Sequence, residues 1–457
     1  MGARLRARHL GRRVVRRGLI NRSFALLWSG QVITDLGTVI FNTALVVWVA
    51  ADLARDQVWA ALAVSGVLAA ATLPMLLVRP LAGVWVDRCD ARRTMLCMDA
   101  LRAALVALLA AAMLAPGLTL IPRLVIVYFV IFVVSACAQF FNTALLTLIA
   151  SIVSEPELAR AGGLSEATWS AASIAGPPLA APLVVVLGVQ WALLGNALSF
   201  IVSFLMLWLI PAGPQRERPA VRTAIRADLL AGLRFVARDP VPRVLITAMS
   251  LAMLGAGALR ALDFFFVTQD LRAAAWAYGL VGPAFGGGSV IGALLAGRYT
   301  RRIGAARTLW VSMVAVGLLI VVLARQTTLP AALAVYVVFG IANSGANVAL
   351  TPLLVGATPR ELLGRANALF FTVISIALLV SVAAAGYLAS GPLHGLHAVA
   401  LGFGFDATTS LLTGGGLLIC AGGLYARWRL RPATHDDGAQ AIPQTGHHAG
   451  QHNRNAI

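Results

Sequence analysis

The sequence predicts an all-α membrane protein with twelve transmembrane helices, arranged as two related bundles of six. Of the 457 residues, 59% are hydrophobic and 12% are charged, and the mean hydropathy is +0.84. The apolar residues come in runs of about twenty, the length of helix that crosses a bilayer. A short charged stretch from Gly83 to Arg93 separates two such runs, and a second copy runs from Gly297 to Arg307. This recurrence indicates an internal duplication.

The distribution of charge matches a membrane topology. The formal net charge is +18, and all 36 basic residues are arginine. The helix map places 29 of them on one side, which by the positive-inside rule is the cytoplasm. We therefore expect a multi-pass protein of the cytoplasmic (inner) membrane with both termini inside, no nucleic-acid partner and the lipid bilayer as its surroundings. Of the remaining seven arginines, four lie on the outer side (Arg55, Arg123, Arg272, Arg325) and three lie within spans (Arg79, Arg102, Arg260).

The order of apolar runs divides the chain into five parts. We expect a basic segment at 1–22, a six-helix bundle at 23–210, a linker at 211–243, a second bundle at 244–430 and a disordered cytoplasmic tail at 431–457. The linker contains an amphipathic stretch, since Leu229, Leu233 and Val236 share a helical face. Spans 1 to 12 are predicted at 24–50, 59–86, 94–115, 124–149, 163–187, 191–210, 244–268, 275–297, 308–324, 330–354, 367–389 and 407–427.

Span 1 carries a stripe of polar side chains on one helical face: Gln31, Asp35, Thr38 and Asn42. Asp35 lies about 16 Å along the span, at 1.5 Å per residue, which is close to the midplane. A carboxylate without a partner is costly there, so an acid at this depth is a candidate for carrying a proton or contacting substrate. The alternative is a structural acid held by hydrogen bonds.

Spans 4 and 10 offer matching amide side chains. Gln139 and Asn142 share a face of span 4, and Asn343 and Asn347 share a face of span 10. These amides are candidates for a substrate cavity, while the alternative is interhelical hydrogen bonding of about 0.6 kcal/mol per residue.

Two acid–arginine pairs also lie within predicted spans. In span 7, Arg260 and Asp263 are three residues apart and can pair, either as an outer gate and cavity element or as a self-neutralising structural pair. In span 3, Asp99 and Arg102 have the same spacing, and we expect them to brace the nearby charged loop.

Several motifs lie in register with this helix map. The loop after span 2 reads Gly83-Val-Trp-Val-Asp87-Arg88-Cys-Asp90-Ala-Arg92-Arg93. The chain also contains Asn21-Arg-Ser-Phe-Ala-Leu-Leu-Trp-Ser-Gly-Gln, Gly232-Leu-Arg-Phe-Val-Ala-Arg-Asp-Pro240 and Gly364-Arg365-Ala-Asn. Together, over roughly residues 20–430, these features resemble the major facilitator superfamily, and within it the macrolide-efflux and siderophore-exporter branch.

The resemblance implies a major facilitator fold whose helices 1, 4, 7 and 10 line a central cavity. It implies a cytoplasmic gate motif of Gly83, Asp87, Arg88, Arg92 and Arg93 that holds the two halves closed on the inner face. The alternative is that these arginines only fix the topology. In span 5, Gly176 and Pro177 resemble the core of an antiporter signature, although alanines replace its other glycines. That likeness favours export.

The predicted function follows from these elements. No catalytic constellation, cofactor motif or metal-ligand spacing is present in the sequence, so we expect neither an enzyme nor a cofactor. We expect a monomeric, proton-coupled exporter of amphiphilic small molecules. Alternatives are an importer of a nutrient or siderophore, and a membrane scaffold or sensor. Asp35 with nearby aromatic residues favours a lipophilic cation, whereas Arg260 or Arg102 could serve an anion.

Overall fold

The protein is described by a computed structural model. It covers residues 20–86, 88–114, 117–211, 234, 239–359, 363–396, 398–400 and 403–430. In this part of the chain, twelve helical segments are long and apolar enough to cross a membrane, as predicted. Spans 1 to 12 run over Arg22–Leu53, Ala60–Leu77 with Arg79–Val86, Ala91–Leu114, Leu120–Ile152, Glu155–Leu187, Val189–Trp208, Pro240–Asp270, Ala275–Ile303, Ala305–Leu323, Leu329–Gly356, Leu363–Ser390 and Ala407–Arg429.

Local sequence accounts for where these helices begin and break. Asn21 caps span 1 by accepting a hydrogen bond from the Phe24 amide, and Asp406 forms a capping box at span 12. Span 2, predicted as continuous over 59–86, is instead broken at Val78. Pro80 has no N–H to donate to the preceding turn, which explains the interruption.

Three predicted segments lie outside the described residues: the basic segment before residue 20, most of the linker and the tail. One feature was not predicted. A two-stranded antiparallel hairpin pairs β1 (Ala398–Ala400) with β2 (Phe403–Phe405) in the loop between spans 11 and 12. Three residues per strand are too few for the alternation by which a strand is recognised in a sequence.

The helices form an N-terminal half (spans 1–6) and a C-terminal half (spans 7–12). We call the end of the bundle that holds Arg88 and Arg302 the basic end, and the other end the opposite end. Between the halves, span 2 packs on span 11 and span 5 packs on span 8. Ser390 in span 11 accepts a hydrogen bond from the Leu62 amide at 3.0 Å.

Among the described residues, the two halves share a hydrophobic core only toward the opposite end. One buried cluster joins spans 1–6 to residues of spans 7 and 11, among them Ala258, Leu262, Phe265, Val382 and Ala385. At the basic end, a cluster around Phe24 and Met95 belongs to the N-terminal half, and the remaining cluster lies wholly in the C-terminal half. In the part of the chain that the structure describes, the halves are therefore joined at the opposite end and separated at the basic end.

Glycines along the interface agree with this arrangement. A Cβ on Gly386 would lie 2.2 Å from Ser65 Oγ, and one on Gly279 would lie 2.7 Å from the Pro177 carbonyl oxygen. Toward the basic end, positions in four spans have no described atom within 4 Å of such a Cβ: Gly83, Gly162, Gly163, Gly356 and Gly364. The space between the halves thus opens at the basic end.

Candidate functional site

Span 7 defines one wall of the space between the halves. Gly255 packs against Gly415 of span 12, and Gly257 packs against Ser381 of span 11. Asp263 faces span 10, where it accepts a hydrogen bond from Tyr336. At 100° per residue, Arg260 lies on the remaining face, between the sides that touch spans 10 and 11. Its side chain is exposed, so this face borders the space between the halves.

The sequence-predicted cavity residues divide by exposure. Four of them are exposed although each is far from the ends of its helix, and each comes from a different one of spans 1, 4, 7 and 10: Asn42, Asn142, Arg260 and Asn347. A second group is partly buried: Asp35, Thr38, Gln139, Asp263 and Asn343. Gln31 is buried, and its Oε1 accepts no hydrogen bond from any described residue. Polar side chains at this depth are costly in lipid, so the exposed four are best placed on a water-filled cavity.

Asp35 projects from a helix that packs on two neighbouring spans. Gly30, Thr34 and Gly37 lie against span 6, where Thr34 donates to the Ser199 carbonyl at 3.4 Å. Val39 packs on Gly176 of span 5, and the Trp28 indole donates to Thr168 of the same span at 2.9 Å. Asp35 lies away from the span 6 contact and stays partly exposed. Arg102 is the charged side chain that interacts electrostatically with it.

Asp99 and Arg102 form a buried ion pair inside the N-terminal half. Asp99 is fully buried and also accepts a hydrogen bond from Ser203 of span 6 at 2.7 Å. The Arg102 guanidinium lies 4.4 Å from the ring centroids of both Phe141 and Phe200. The pair thus joins spans 3, 4 and 6. The expectation that it also braces the charged loop stays a prediction, because Asp87 lies outside the described residues. The polar stripe of Ser199 and Ser203 in span 6 was the sequence signal for this contact.

The expected pairing of Arg260 with Asp263 was wrong. Tyr336 of span 10 donates to the Asp263 carboxylate, and no ion pair forms between Asp263 and Arg260. Phe264, one residue further on, packs edge-on against Tyr278 with ring centroids 5.5 Å apart. Tyr336 was missed in the sequence, although it lies two turns before Asn343 on the same helical face.

The sequence can be placed in a family through its match to known proteins. The family model described as Major Facilitator Superfamily matches residues 27–377 and 263–446, which together cover most of the chain. The chain belongs to the major facilitator superfamily. A curated relative in this superfamily is the uncharacterized MFS-type transporter YkuC of Bacillus subtilis (strain 168), which is 25% identical over 187 residues. The aligned part is 41% of each protein, so it spans less than half of the relative's length.

Solved structures share the major facilitator fold at low sequence identity. The nucleoside transporter NupG superposes with a TM-score of 0.70 at 11% identity, covering 89% of this chain and 100% of that one. A bacterial homologue of the iron transporter ferroportin superposes with a TM-score of 0.70 in its inward-facing state, at 14% identity, covering 91% of this chain and 100% of that one. The outward-facing state of that homologue superposes with a TM-score of 0.59 at 16% identity, covering 90% of this chain and 100% of that one.

The loop that resembles the superfamily's gate motif lies at the basic end. Asp87 lies outside the described residues, and Arg88 and Arg93 are exposed. Arg92 donates to the carbonyl oxygens of Leu207 and Trp208 at 3.0 and 2.7 Å. Both carbonyls belong to the last turn of span 6, where the Leu207 oxygen also accepts from the Ile210 amide, so Arg92 acts as a C-terminal cap within its own half. No described atom lies within 4 Å of a Cβ built on Gly83, and the role of the loop as a latch stays a prediction.

The residues that resemble the superfamily's antiporter signature lie where three helices meet. Gly176 lets span 5 approach span 1, because a Cβ there would lie 2.4 Å from Val39 Cγ1. Pro177 faces span 8, where Gly279 and Gly282 have no side chain to obstruct it. Span 5 stays helical from Leu158 to Leu187 through its prolines. This junction forms part of the closed opposite end of the major facilitator fold.

The opposite end also bears a surface pocket between the two halves, with a volume of about 840 Å³. Its walls come from the ends of spans 1, 5 and 7 and the start of span 12. Phe264 and Phe265 line it, and both are buried. These buried aromatic side chains lie between the outer pocket and Arg260, which is one turn earlier in span 7.

Proposed function

We propose that this member of the major facilitator superfamily is a proton-coupled exporter of amphiphilic small molecules, such as a drug, an antibiotic or a secondary metabolite. The observation that carries the proposal is Asp35, an acid well inside span 1 that remains partly exposed between two packed helix faces. An intramembrane acid beside a water-filled cavity can exchange a proton with water. Its carboxylate can also accept a hydrogen bond from a donor group on the cargo, so the proton and the cargo compete for it.

The direction of the opening supports loading from the cytoplasm. By the positive-inside rule the basic end faces the cytoplasm, so the cavity is open inward. The higher TM-score against an inward-facing than an outward-facing neighbour agrees with this orientation. Export then requires the two halves to rock about the midplane, so that the opposite end separates while the basic end closes.

Proton binding provides the energy for this cycle and determines when cargo binds to Asp35 and when it leaves. One proton crossing 100 mV contributes about 2.3 kcal/mol, which is available to drive cargo outward. In the inward-open state Asp35 releases its proton to the cytoplasm and becomes an acceptor for cargo. In the outward-open state a proton from outside displaces the cargo from Asp35. The Gly176–Pro177 junction supports antiport because it lies at the gate that must open for release.

A toxicity panel in a bacterial host lacking its own pumps tests export. We expect cells expressing the wild type to tolerate higher concentrations of some amphiphilic compounds than cells with empty vector. Asp35→Asn should remove this protection, because an amide cannot release a proton. Asp56→Asn, which changes an exposed acid in the loop after span 1, is the matched control and should protect like the wild type.

Two results would contradict the proposal. Full protection of cells by Asp35→Asn against every compound in the panel would exclude a proton role for this residue. Greater sensitivity of wild-type cells than of empty-vector cells, with faster accumulation of the compound, would indicate an importer instead.

A further inference from the structure

Of the three arginines predicted within spans, Arg79 lies at the break in span 2. Arg102 and Arg260 lie deeper, and they differ in exposure and in pairing. Arg102 is 4% exposed, paired with Asp99 and enclosed by two phenylalanine rings. Arg260 is exposed and forms no ion pair with any residue that the structure describes. Its nearest acid in the sequence, Asp263, is already bound to Tyr336. Arg260 is therefore a cation in the cavity wall without a counter-ion among the described residues.

We propose that Arg260 binds an anionic group of the cargo, so that the transported amphiphile carries a carboxylate or a similar anion. The inference rests on the proposed function and specifies its cargo class. A guanidinium presents a rigid fork of donors that matches a carboxylate, and such charge-assisted hydrogen bonds are among the strong ones in proteins. An exposed arginine at this depth is costly in the membrane unless water or an anion reaches it.

The surroundings of Arg260 determine how an amphiphile fits. Arg260 lies about 30 Å along span 7 from Pro240, so it is near the closed end of the cavity. Phe264, one turn further on, is buried against Tyr278 and closes the space above it. Ala256 and Met253, on the preceding turns of the same face, are partly buried and apolar. The anionic head therefore binds at the closed end, and the apolar tail extends toward the basic-end opening.

Asp35 belongs to the opposite wall and to a different depth. It lies about 20 Å along span 1 from Arg22, compared with about 30 Å for Arg260 along span 7. The cavity thus has an acidic wall on the N-terminal half and a basic wall on the C-terminal half. A cargo with an anion at one end and a hydrogen-bond donor further along can contact both halves at once, while only the donor competes with the proton on Asp35.

A matched pair of fluorescent probes tests the anion. The full chain is placed in phosphatidylcholine nanodiscs, which contain no net anionic lipid, and titrated with 11-(dansylamino)undecanoic acid and with its methyl ester. We expect the wild type to bind the acid about tenfold or more tightly than the ester, the range of a charge-assisted hydrogen bond. Arg260→Gln should remove this preference, because it weakens binding of the acid and leaves binding of the ester unchanged. Arg260→Lys should retain part of it, because it keeps the charge without the fork.

Arg307→Gln, which removes an exposed arginine at the basic end, is the matched control and should leave both affinities unchanged. Two results would overturn the proposal. One is an unchanged preference for the acid in Arg260→Gln, and the other is an equal loss of affinity for the acid and the ester in both Arg260 variants. Asp35→Asn separates this proposal from proton coupling. Both probes carry the same sulfonamide N–H, so Asp35→Asn should change the two affinities equally and keep the preference for the acid even if its transport is lost. A failure of either proposal therefore shows in its own measurement.

Discussion

Asp99→Asn is expected to lower the free energy of unfolding by about 3–5 kcal/mol, because it leaves the Arg102 guanidinium buried without its counter-ion. Asp99 is fully buried and Arg102 is 4% exposed, so water cannot replace the lost charge. The asparagine still accepts a hydrogen bond from Ser203, which keeps the packing of spans 3 and 6 close to native. Thermal unfolding of the purified protein, followed by tryptophan fluorescence, measures the loss.

Two further variants distinguish loss of charge from loss of packing. Ser203→Ala removes one hydrogen bond to a charged group and should cost about 1.5–3 kcal/mol, less than the loss of the counter-ion. The double change Asp99→Leu with Arg102→Met removes both charges and should be more stable than Asp99→Asn, since a buried ion pair is often replaceable by apolar side chains. Wild-type stability in Asp99→Asn would mean that Arg102 has another counter-ion, with Asp35 the first candidate.

Gly279→Ala is expected to shift the protein from the basic-end-open state toward the state open at the opposite end. The new Cβ would lie 2.7 Å from the Pro177 carbonyl oxygen and 3.1 Å from Pro178 Cα, and both are backbone atoms. Overpacking of this kind costs about 1–3 kcal/mol, and each 1.4 kcal/mol changes an equilibrium tenfold. The cost falls on the closed opposite end and is relieved when spans 5 and 8 separate there.

Distances between spin labels at the basic end measure this shift. The labels are attached at Arg160→Cys in span 5 and Arg298→Cys in span 8, after the exposed Cys89 and Cys97 have been replaced by serine. Gly279→Ala should raise the population of the shorter distance. Gly287→Ala is the matched control in span 8, where no described atom lies within 4 Å of the new Cβ. Identical distance distributions in the two variants would exclude a role for the Pro177 contact in closing the opposite end.

The sequence was sufficient to predict the fold because lipid leaves the backbone few choices. Every backbone group in the bilayer needs a partner within its own helix, so apolar runs of sufficient length predict helices directly. Span 12 was predicted at 407–427 and runs over Ala407–Arg429. Span 5 was predicted from 163 and begins at Glu155, because polar end turns carry no hydropathy signal. The break at Val78 in span 2 was missed for a different reason: the apolar run continues on both sides of Pro80, so hydropathy alone predicted one continuous helix.

The partners of the polar residues were harder to predict than their positions. Helical spacing placed Asp35, Asn42 and Arg260 on their faces, but it could not show which neighbouring helix each face meets. Asp263 was paired with Arg260 because the two are close in sequence, whereas its partner, Tyr336, is 73 residues away. Ser203 is likewise 104 residues from Asp99. Such contacts depend on how the spans pack, which one sequence does not specify.

Proton exchange at Asp35 is tested most directly in everted membrane vesicles that hold a respiration-driven pH gradient. A cargo identified in the toxicity panel is added while a pH-sensitive dye reports the internal acidity. We expect the wild type and Asp56→Asn to release protons from the vesicles when cargo is added, and we expect no release with Asp35→Asn. Proton release by Asp35→Asn at the wild-type rate and with the wild-type pH dependence would contradict the proposed coupling.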